Sequence, residues 1–553
     1  MALAGVLRWR ARTRARIRLT RALRAARARP LAARVPSGGL SAGALLAMYG
    51  KKVVVLESHD VPGGAAHAWE RDGYTFESGP SLYSTMTTPG TMNPMGQVLQ
   101  ALGEELPCHE YNGWTCHFPE PVGKFEMKIG TDNFNAVLRE AYDEDTVDEF
   151  VRLREEMKPL AKAAMCLPVL AVRNDPAALV TLARFLPRVV ESAGSLEDLT
   201  KPYSEVMDKM GLKSQFIRDW LELCCFMLSG APATGTPASE IGFMFDDWYR
   251  PNAMLEFPKG GSGALIDALV RGLEKYGGQL VTSAHVEEVL VENERAVGVR
   301  LRGGKEVRAS EAVISNASLW DTLPLMPEGA LPDEFTQQVE DTDQCLSFMH
   351  LHLGIDAEGL EDVKLHHMVV DDWEKGVEAE RNVVLVSIPS AIDPSMAPEG
   401  KHVIHAYYPG TEPYEKWEGM DRKSEEYKAL KRERADKLWE AVEKAVPGAR
   451  ERVEIEMIGT PLTCSRFLRR HRGTYGGRGW ISKGEGTVAN LSVGTPLDGF
   501  WCVGDRCVVS LGLVVLPLRR VCQLDGGLHC LCARALVCRA PRAITRIRLH
   551  AQR

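Results

Sequence analysis

The strongest fold signal of this 553-residue chain is one stretch, Ser37 to Glu57, which reads SGGLSAGALLAMYGKKVVVLE. Small residues open it, an apolar helical stripe follows, and Gly50 stands where a helix would end. The continuous apolar run before Glu57 is typical of a buried parallel strand. An acid at the end of a second strand, about 20 residues after the glycines, is typical of a βαβ unit that binds ribose hydroxyls. The stretch therefore predicts a nucleotide-binding α/β fold.

Two glycine pairs predict where the backbone approaches the nucleotide. Gly38 and Gly39 open the helix, and Gly63 and Gly64 follow the acid at a short spacing. Glycine has no Cβ, so its backbone can lie close to a ligand. A plain turn is the alternative interpretation of the second pair.

The segment before the first pair departs from the usual pattern. A full glycine loop needs glycine at positions 34 and 36, where this chain has Arg34 and Pro36. Proline has no backbone N–H to offer a phosphate. The residues Leu31 to Val35 are a poor candidate for a strand, so we expect the first, central strand of the sheet to be missing.

The charge distribution argues against nucleic acid as a partner. The net charge is −7, but residues 1–36 contain 11 Arg and no acid, and residues 506–553 contain 9 Arg and one acid. The body of the chain is therefore strongly acidic, whereas phosphate backbones bind basic faces. The odd number of cysteines, 13, and the lack of a secretory signal favour a reducing compartment.

Three further blocks follow the first stretch in order: Glu70–Ser81, Phe257–Leu265 and Thr495–Asp505. Together with the first stretch they resemble the two-part FAD site of the phytoene desaturase and carotenoid isomerase flavoproteins. These belong to the superfamily of FAD-dependent, amine oxidase-like flavoproteins. The resemblance implies FAD as the cofactor, bound by the two glycine pairs, by Glu57 and by residues of the later blocks.

The resemblance also implies individual roles in the later blocks. The backbone of Val286 would meet the adenine edge, and Asp505, directly after Gly504, would hydrogen-bond the ribityl or pyrophosphate part of FAD. Gly512 fits the second glycine of the turn that follows in the family. The arginine that the family has after the second glycine pair is Ala65 here.

Segments in the middle of the chain narrow the resemblance to the prolycopene isomerase branch. They are Asn316–Leu323, His366–Trp373 and Ser387–Gly400. This branch implies a poly-cis carotenoid substrate, converted to all-trans lycopene with reduced FAD and without net redox change. One alternative is a net redox enzyme, either a carotenoid desaturase or a polyene oxidoreductase like retinol saturase. A second is a degenerate, non-catalytic flavoprotein or carotenoid-binding protein, which Arg34 and Pro36 motivate.

We expect an α/β fold with a Rossmann-like FAD-binding domain and an interleaved α+β substrate-binding domain. Both ends depart from the resemblance, so an error in the gene model is a hypothesis for each. The predicted segments are a basic leader (1–36), a first FAD-binding segment (37–135), a helical substrate- or membrane-facing segment (136–255), a second FAD-binding segment (256–330), a substrate domain of sheet and helices (331–480), a third FAD-binding segment (481–527) and an unassigned tail (528–553).

The leader and one helix bear on location. The Arg-rich, acid-free leader is typical of an organelle transit peptide, or else of a disordered basic segment. The resemblance implies a plastid (chloroplast), with the mitochondrion as the alternative because serine is scarce before Ser37. A helix predicted over Asp175–Pro187 would, in this family, lie at the bilayer interface and admit a long polyene. Peripheral membrane association is therefore expected, with ordinary core packing of that helix as the alternative.

No residue pattern singles out a catalytic group. Glu77, Asp246 and Asp247 are candidate proton donors, and exposed, solvated acids are the alternative interpretation. No pattern predicts an oligomeric state.

Histidine and cysteine pairs do not predict a metal site. His350 and His352 alternate, so both rings would lie on one face of a strand, but no third ligand follows at a sensible spacing. We therefore expect a structural or solvent-facing pair. His366–His367 would point to opposite faces of a strand, and Cys224–Cys225 are expected to be buried apolar thiols.

Overall fold

A computed structural model describes residues 31–33, 37–79, 82–89, 91, 93–166, 193–474, 476 and 494–504, which belong to one compact unit. The strands are β1 (Leu31–Ala33), β2 (Val54–Leu56), β3 (Ala68–Arg71), β4 (Tyr74–Glu77), β5 (Tyr83–Ser84), β6 (Cys108–Tyr111), β7 (Gly113–His117), β8 (Lys124–Lys128), β9 (Leu255–Pro258), β10 (Gln279–Val281), β11 (Val286–Glu292), β12 (Arg295–Leu301), β13 (Glu306–Arg308), β14 (Val313–Ser315), β15 (Ser347–Asp356), β16 (His366–Val370), β17 (Val383–Ser387), β18 (Lys401–Glu412), β19 (Val453–Gly459) and β20 (Phe500–Cys502).

The helices lie between these strands. They are α1 (Ser37–Met48), α2 (Pro94–Leu102), α3 (Asn133–Ala141), α4 (Glu144–Cys166), α5 (Ala193–Leu196), α6 (Tyr203–Lys209), α7 (Gln215–Ser229), α8 (Ala238–Tyr249), α9 (Ser262–Lys275), α10 (Leu319–Thr322), α11 (Asp333–Glu340), α12 (Glu425–Ala445) and α13 (Pro461–Phe467).

Five strands form a parallel sheet in the order β10-β2-β1-β14-β20. The apolar run before Glu57 forms β2, and all three of its residues are fully buried. A parallel strand covered on both faces is apolar throughout, so the apolar run in the sequence was enough to predict β2. The sheet collects strands from residues 31–56, 279–315 and 500–502, so the nucleotide-binding half of the fold is interleaved with the rest of the chain.

The central strand corrects two expectations. β1 is Leu31–Ala33, a segment that the sequence marks as a poor strand and that falls inside the expected leader, 1–36. It pairs in parallel with β2 on one side and with β14 on the other. A strand between two neighbours is held by its backbone N–H and C=O groups, so a sequence of low β-propensity can fill that position.

Helix α1 lies unusually close to the sheet because of one glycine. A Cβ on Gly43 would lie 2.6 Å from Cγ2 of Val55, so any larger residue would force the helix away from β2. The helix ends at Met48, and Gly50 follows with a φ of +82°. This is the helix stop that the sequence predicts.

The second large sheet has seven strands in the order β19-β15-β18-β17-β16-β7-β8, most of them antiparallel. Alternate residues of β15, Met349, Leu351 and Leu353, are fully buried in an apolar cluster that also contains residues of α12. The intervening residues of β15 therefore lie on the opposite face of the sheet.

This sheet also contains two strands from the first expected FAD-binding segment. Strands β7 and β8 lie within 37–135, the segment expected to bind FAD, but they belong to the seven-stranded sheet. β7 pairs in parallel with β16, which comes from a distant part of the chain. The pairing completes the ladder of β16, whose edge would otherwise expose backbone hydrogen-bonding groups.

Helices α3 to α8 form a third packed region in the segment 136–255 and just before it. Large side chains of α3, α4, α6, α7 and α8 share one apolar cluster, which includes Phe134, Phe150, Tyr203, Trp220 and Trp248. Cys224 and Cys225 of α7 are buried in the same cluster, as expected.

The predicted helix over 175–187 lies outside the described residues. Within the described portion of the chain, no helix has the length and apolar character needed to cross a membrane.

Candidate functional site

A cleft that opens to solvent lies at the carboxyl edge of the five-stranded sheet. Residues of 57–67, directly after β2, and of 316–318, directly after β14, line it together with residues 467–470. Loops that follow parallel strands meet at one edge of the sheet, where ligands of α/β folds bind. The cleft is therefore in the position that a nucleotide site would take.

Glu57 is fixed at the wall of this cleft. Its backbone N–H donates to the carbonyl of Val281 at 2.8 Å, and its carbonyl accepts from the N–H of Ala284 at 2.7 Å. Its carboxylate Oε1 accepts from the backbone N–H of His59 at 2.7 Å. The side chain is only 7% exposed, so the carboxylate has a defined place beside the cleft. Its role as the ribose ligand stays a prediction.

Three distant segments meet at Gly38, Asn316 and Gly504. A Cβ on Gly38 would lie 2.7 Å from Oδ1 of Asn316 and 3.5 Å from Cα of Gly504. Gly504 has a φ of +90°, and a Cβ there would collide with Nδ2 of Asn316. The predicted convergence of the first glycine pair with the strand that ends near residue 504 is therefore present in the fold.

Two buried polar atoms lie near this meeting point without a partner. One is Oδ1 of Asn316, and the other is Oγ of Ser41, which lies in α1. Neither atom has a hydrogen-bond partner among the described residues. An unsatisfied buried polar atom costs about 1–3 kcal/mol, so a bound ligand that donates a hydrogen bond would stabilise the site. The acid, the close glycines and the unpaired acceptor fit a dinucleotide such as FAD.

The second glycine pair forms a turn that only glycine can adopt easily. Gly63 has a φ of +118° and Gly64 a φ of +58°. A Cβ on Gly63 would lie 2.9 Å from Cγ1 of Ile266 on α9. Gly64 and Ala65 line the cleft, so the turn places backbone directly at the candidate site.

Two arginines of the candidate site were not identified from the sequence. Arg469 and Arg470 line the cleft, and Nε of Arg470 donates to the carbonyl of Thr474 at 2.6 Å. Arg469 has a φ of +55°, a strained backbone for a non-glycine residue. The signal was the run RFLRRHR at 466–472, which is strongly basic within an acidic body. These arginines supply positive charge that Ala65 does not.

The remaining predicted site residues take different positions. Gly39 is buried in the first turn of α1. Val286 begins β11 and is buried in an apolar cluster, shortly after Ala284, rather than lining the cleft. Asp505 and Gly512 lie outside the described residues.

The candidate proton donors do not line the cleft. Glu77 is buried and its carboxylate accepts from the backbone N–H of Ser262, at the start of α9. Burial raises the pKa of Glu77. Asp247, also with its pKa raised by burial, accepts a hydrogen bond from Ser84, and Asp246 is exposed. Asp246 is exposed, as the alternative interpretation has it, but that interpretation is wrong for Glu77 and for Asp247, whose side chain is 12% exposed.

The histidine pair on β15 is buried rather than solvent-facing. His350 and His352 lie on one face of the strand, as predicted, and are 7% and 6% exposed. His405 of β18 is directly opposite His352. Sequence spacing could not reveal this third histidine, because cross-strand register brings it there from a separate strand further along the chain.

The chain matches the model of the family described as flavin containing amine oxidoreductase over residues 37–475. "Prolycopene isomerase, chloroplastic" of Daucus carota is 30% identical over 507 residues, covering 88% of this chain and 77% of that protein. All-trans-retinol 13,14-reductase of Danio rerio is 25% identical over 508 residues, covering 84% of this chain and 80% of that protein. An oxidoreductase structure from Methanosarcina mazei has a TM-score of 0.60 at 17% identity, covering 89% of this chain and 99% of that chain.

The family match spans most of the chain and includes Glu57, both glycine pairs and Asn316. The M. mazei likeness, at low identity, supports the fold alone. Both agree with the expected interleaved α/β fold, and the cleft has the chemistry that a flavin dinucleotide needs. This chain therefore belongs to the flavin-containing amine oxidoreductase family and is an enzyme with FAD as its cofactor.

Proposed function

We propose that this enzyme isomerises a poly-cis carotenoid, converting prolycopene to all-trans lycopene without net redox change. The observation that carries the proposal is 30% identity to a prolycopene isomerase along 88% of the chain. Similarity to an all-trans-retinol 13,14-reductase is lower, at 25% identity. That second likeness keeps a polyene saturase as the alternative function.

Within the cleft, the chain's own residues would bind and orient the dinucleotide. The carboxylate of Glu57 would accept hydrogen bonds from ribose hydroxyls, and Gly38 and Gly64 would let backbone N–H groups approach the phosphates. Arg469 and Arg470 would offset the phosphate charge. Rotation about a C=C bond requires its π order to fall, and reduced FAD supplies the electron density for this when bound.

Aromatic side chains beside the cleft offer a surface for a flat conjugated chain. Trp69 stacks on His67, which lines the cleft, with ring centroids 5.3 Å apart. Phe348 and Tyr407, both half-buried, lie on the sheet face that carries His352, whose ring is 5.1 Å from that of Trp69. Polyenes pack favourably against such rings, which also exclude water from the reacting bond.

The product of a defined reaction tests the proposal. Purified enzyme, reduced FAD and prolycopene are incubated without oxygen, and the carotenoids are analysed by chromatography and mass spectrometry. We expect all-trans lycopene of unchanged mass. A product lighter or heavier by two hydrogens would instead support a desaturase or a saturase. A purified chain without flavin absorbance would favour the non-catalytic alternative.

We also propose a plastid location and peripheral membrane association. The carrot relative is named chloroplastic, which supports the location. A long apolar carotenoid partitions into bilayers, so an enzyme that acts on it must meet a membrane surface. Flotation with lipid vesicles that contain carotenoid is expected to carry the enzyme to the top of the gradient. Recovery of all the enzyme at the bottom would contradict membrane association.

A further inference from the structure

Three buried histidines meet on one face of the seven-stranded sheet. His350 and His352 alternate along β15, and His405 is paired with His352 on the antiparallel neighbour β18. One imidazole nitrogen from each histidine lies within 4.8 Å of the other two. His350 Nδ1 and His405 Nε2 are already in hydrogen-bond contact at 2.9 Å.

The hydrogen bond of His352 determines its tautomer. Its Nε2 lies 2.9 Å from the backbone carbonyl of Glu77, and a carbonyl only accepts, so Nε2 carries the proton and donates. The lone pair of His352 is then on Nδ1. A backbone carbonyl that accepts from the second ring nitrogen is a usual outer partner of a metal-binding histidine.

The three rings are also buried. His350, His352 and His405 are 7%, 6% and 5% exposed, so the cluster lies inside the protein rather than on its surface.

We propose that His350, His352 and His405 bind a single divalent transition-metal ion of the zinc type. Two ligands that alternate on one strand and a third on the adjacent strand place three nitrogens on the same face of a sheet. Three histidines with water in a fourth, open position form one of the known tetrahedral zinc sites. The proposal does not depend on which polyene the enzyme converts.

Metal binding requires the histidine side chains to rotate. Zn–N bonds of about 2.0–2.1 Å place tetrahedral nitrogens about 3.3 Å apart, so the widest pair must close by about 1.5 Å. The parallel rings of His352 and His405, stacked with centroids 4.3 Å apart, must turn out of their stack. The ion would replace the hydrogen bond between His350 and His405 and would link β15 to β18.

Metal content of the purified FAD-bound enzyme tests the proposal. The chain is produced without a histidine tag, exposed to Zn²⁺ or Co²⁺, freed of loose metal by gel filtration, and analysed for metal per chain. We expect a single retained ion in the wild type and its loss in His405→Gln, with the intense visible absorption of four-coordinate Co²⁺ in the wild type. His402→Gln, on β18 but hydrogen-bonded to Ser390, is the matched control and should retain the ion.

Zinc affinity, measured by competition with a chromophoric chelator, should fall by more than about 10–100-fold in His405→Gln, since loss of outer partners alone has that effect. The proposal is overturned if the wild type retains no ion. It is also overturned if His405→Gln retains as much as the wild type, or if the Co²⁺ spectrum shows thiolate charge transfer, which places the ion on cysteines. If His405→Gln does not fold, as judged by its flavin content, the wild-type spectrum decides.

Discussion

Replacing Gly38 with alanine should weaken FAD binding more than it weakens the fold. The new Cβ would lie 2.7 Å from Asn316 Oδ1, whereas carbon–oxygen contacts normally start near 3.3 Å, so about 0.6 Å must be gained. Asn316 has little room to retreat, because its Nδ2 already lies against Gly504 and 3.4 Å from the carbonyl of Val503.

The magnitude follows from this contact. Overpacking of this kind costs about 1–3 kcal/mol, and alanine in a helix returns about 1 kcal/mol relative to glycine. The free energy of unfolding without FAD should therefore fall by only about 0–2 kcal/mol. FAD affinity should decrease about 5–150-fold, the equivalent of the same 1–3 kcal/mol, because the clash disturbs the position of Asn316, which lines the cleft.

Flavin titration of the apoprotein and urea unfolding measure the two quantities. Ala44→Gly is the matched control, since Ala44 is fully buried in the same helix, beyond the first turn in which Gly38 approaches Asn316. It should lose about 1–2 kcal/mol of stability through helix propensity and a lost methyl contact while FAD affinity is unchanged. The reasoning is refuted if Gly38→Ala binds FAD as tightly as the wild type.

Three other substitutions test single groups. Glu57→Gln removes the charge at the ribose position, so the same titration should show about 10–150-fold weaker FAD binding; unchanged affinity would exclude Glu57 from the site. Burial and the nearby His117 lower the pKa of His367 to about 3. The folded state then binds fewer protons than the unfolded chain between about pH 3 and 6.5, so the free energy of unfolding should fall as the pH falls, and less steeply in His367→Gln. Equal pH slopes in urea unfolding would contradict this. Glu412→Ala leaves Arg434 buried without its closest carboxylate and should cost about 3–5 kcal/mol in urea unfolding, whereas a cost under about 1 kcal/mol would indicate a solvated pair.

Much of the nucleotide-binding half could be predicted from local patterns. The β2 run, the glycine pairs and Glu57 stand close together in the sequence. Their local physical causes are burial on both faces for β2, close packing at Gly38, positive φ at Gly63 and Gly64, and position after a strand for Glu57. β1 could not be predicted, because Leu31–Ala33 has no strand pattern of its own and is held by its two neighbours.

Other site residues come from segments that have no pattern in common. Asn316 and Arg470 lie far from Glu57 in the sequence, and only the fold brings them to one cleft. For the β15 histidines, the sequence left a structural and a solvent-facing pair open, and only the fold shows that the pair is buried. Their burial and their partner His405 depend on sheet packing and register, which sequence spacing does not encode.

The sequence by itself determined the α/β class, the family and the dinucleotide pattern, because these depend on short stretches whose periodicity and residue types have local causes. Only the tertiary structure decided which distant side chains share the cleft, and that three histidines meet on one sheet face. Such meetings are set by strand order and register, which arise from the packing of the whole chain.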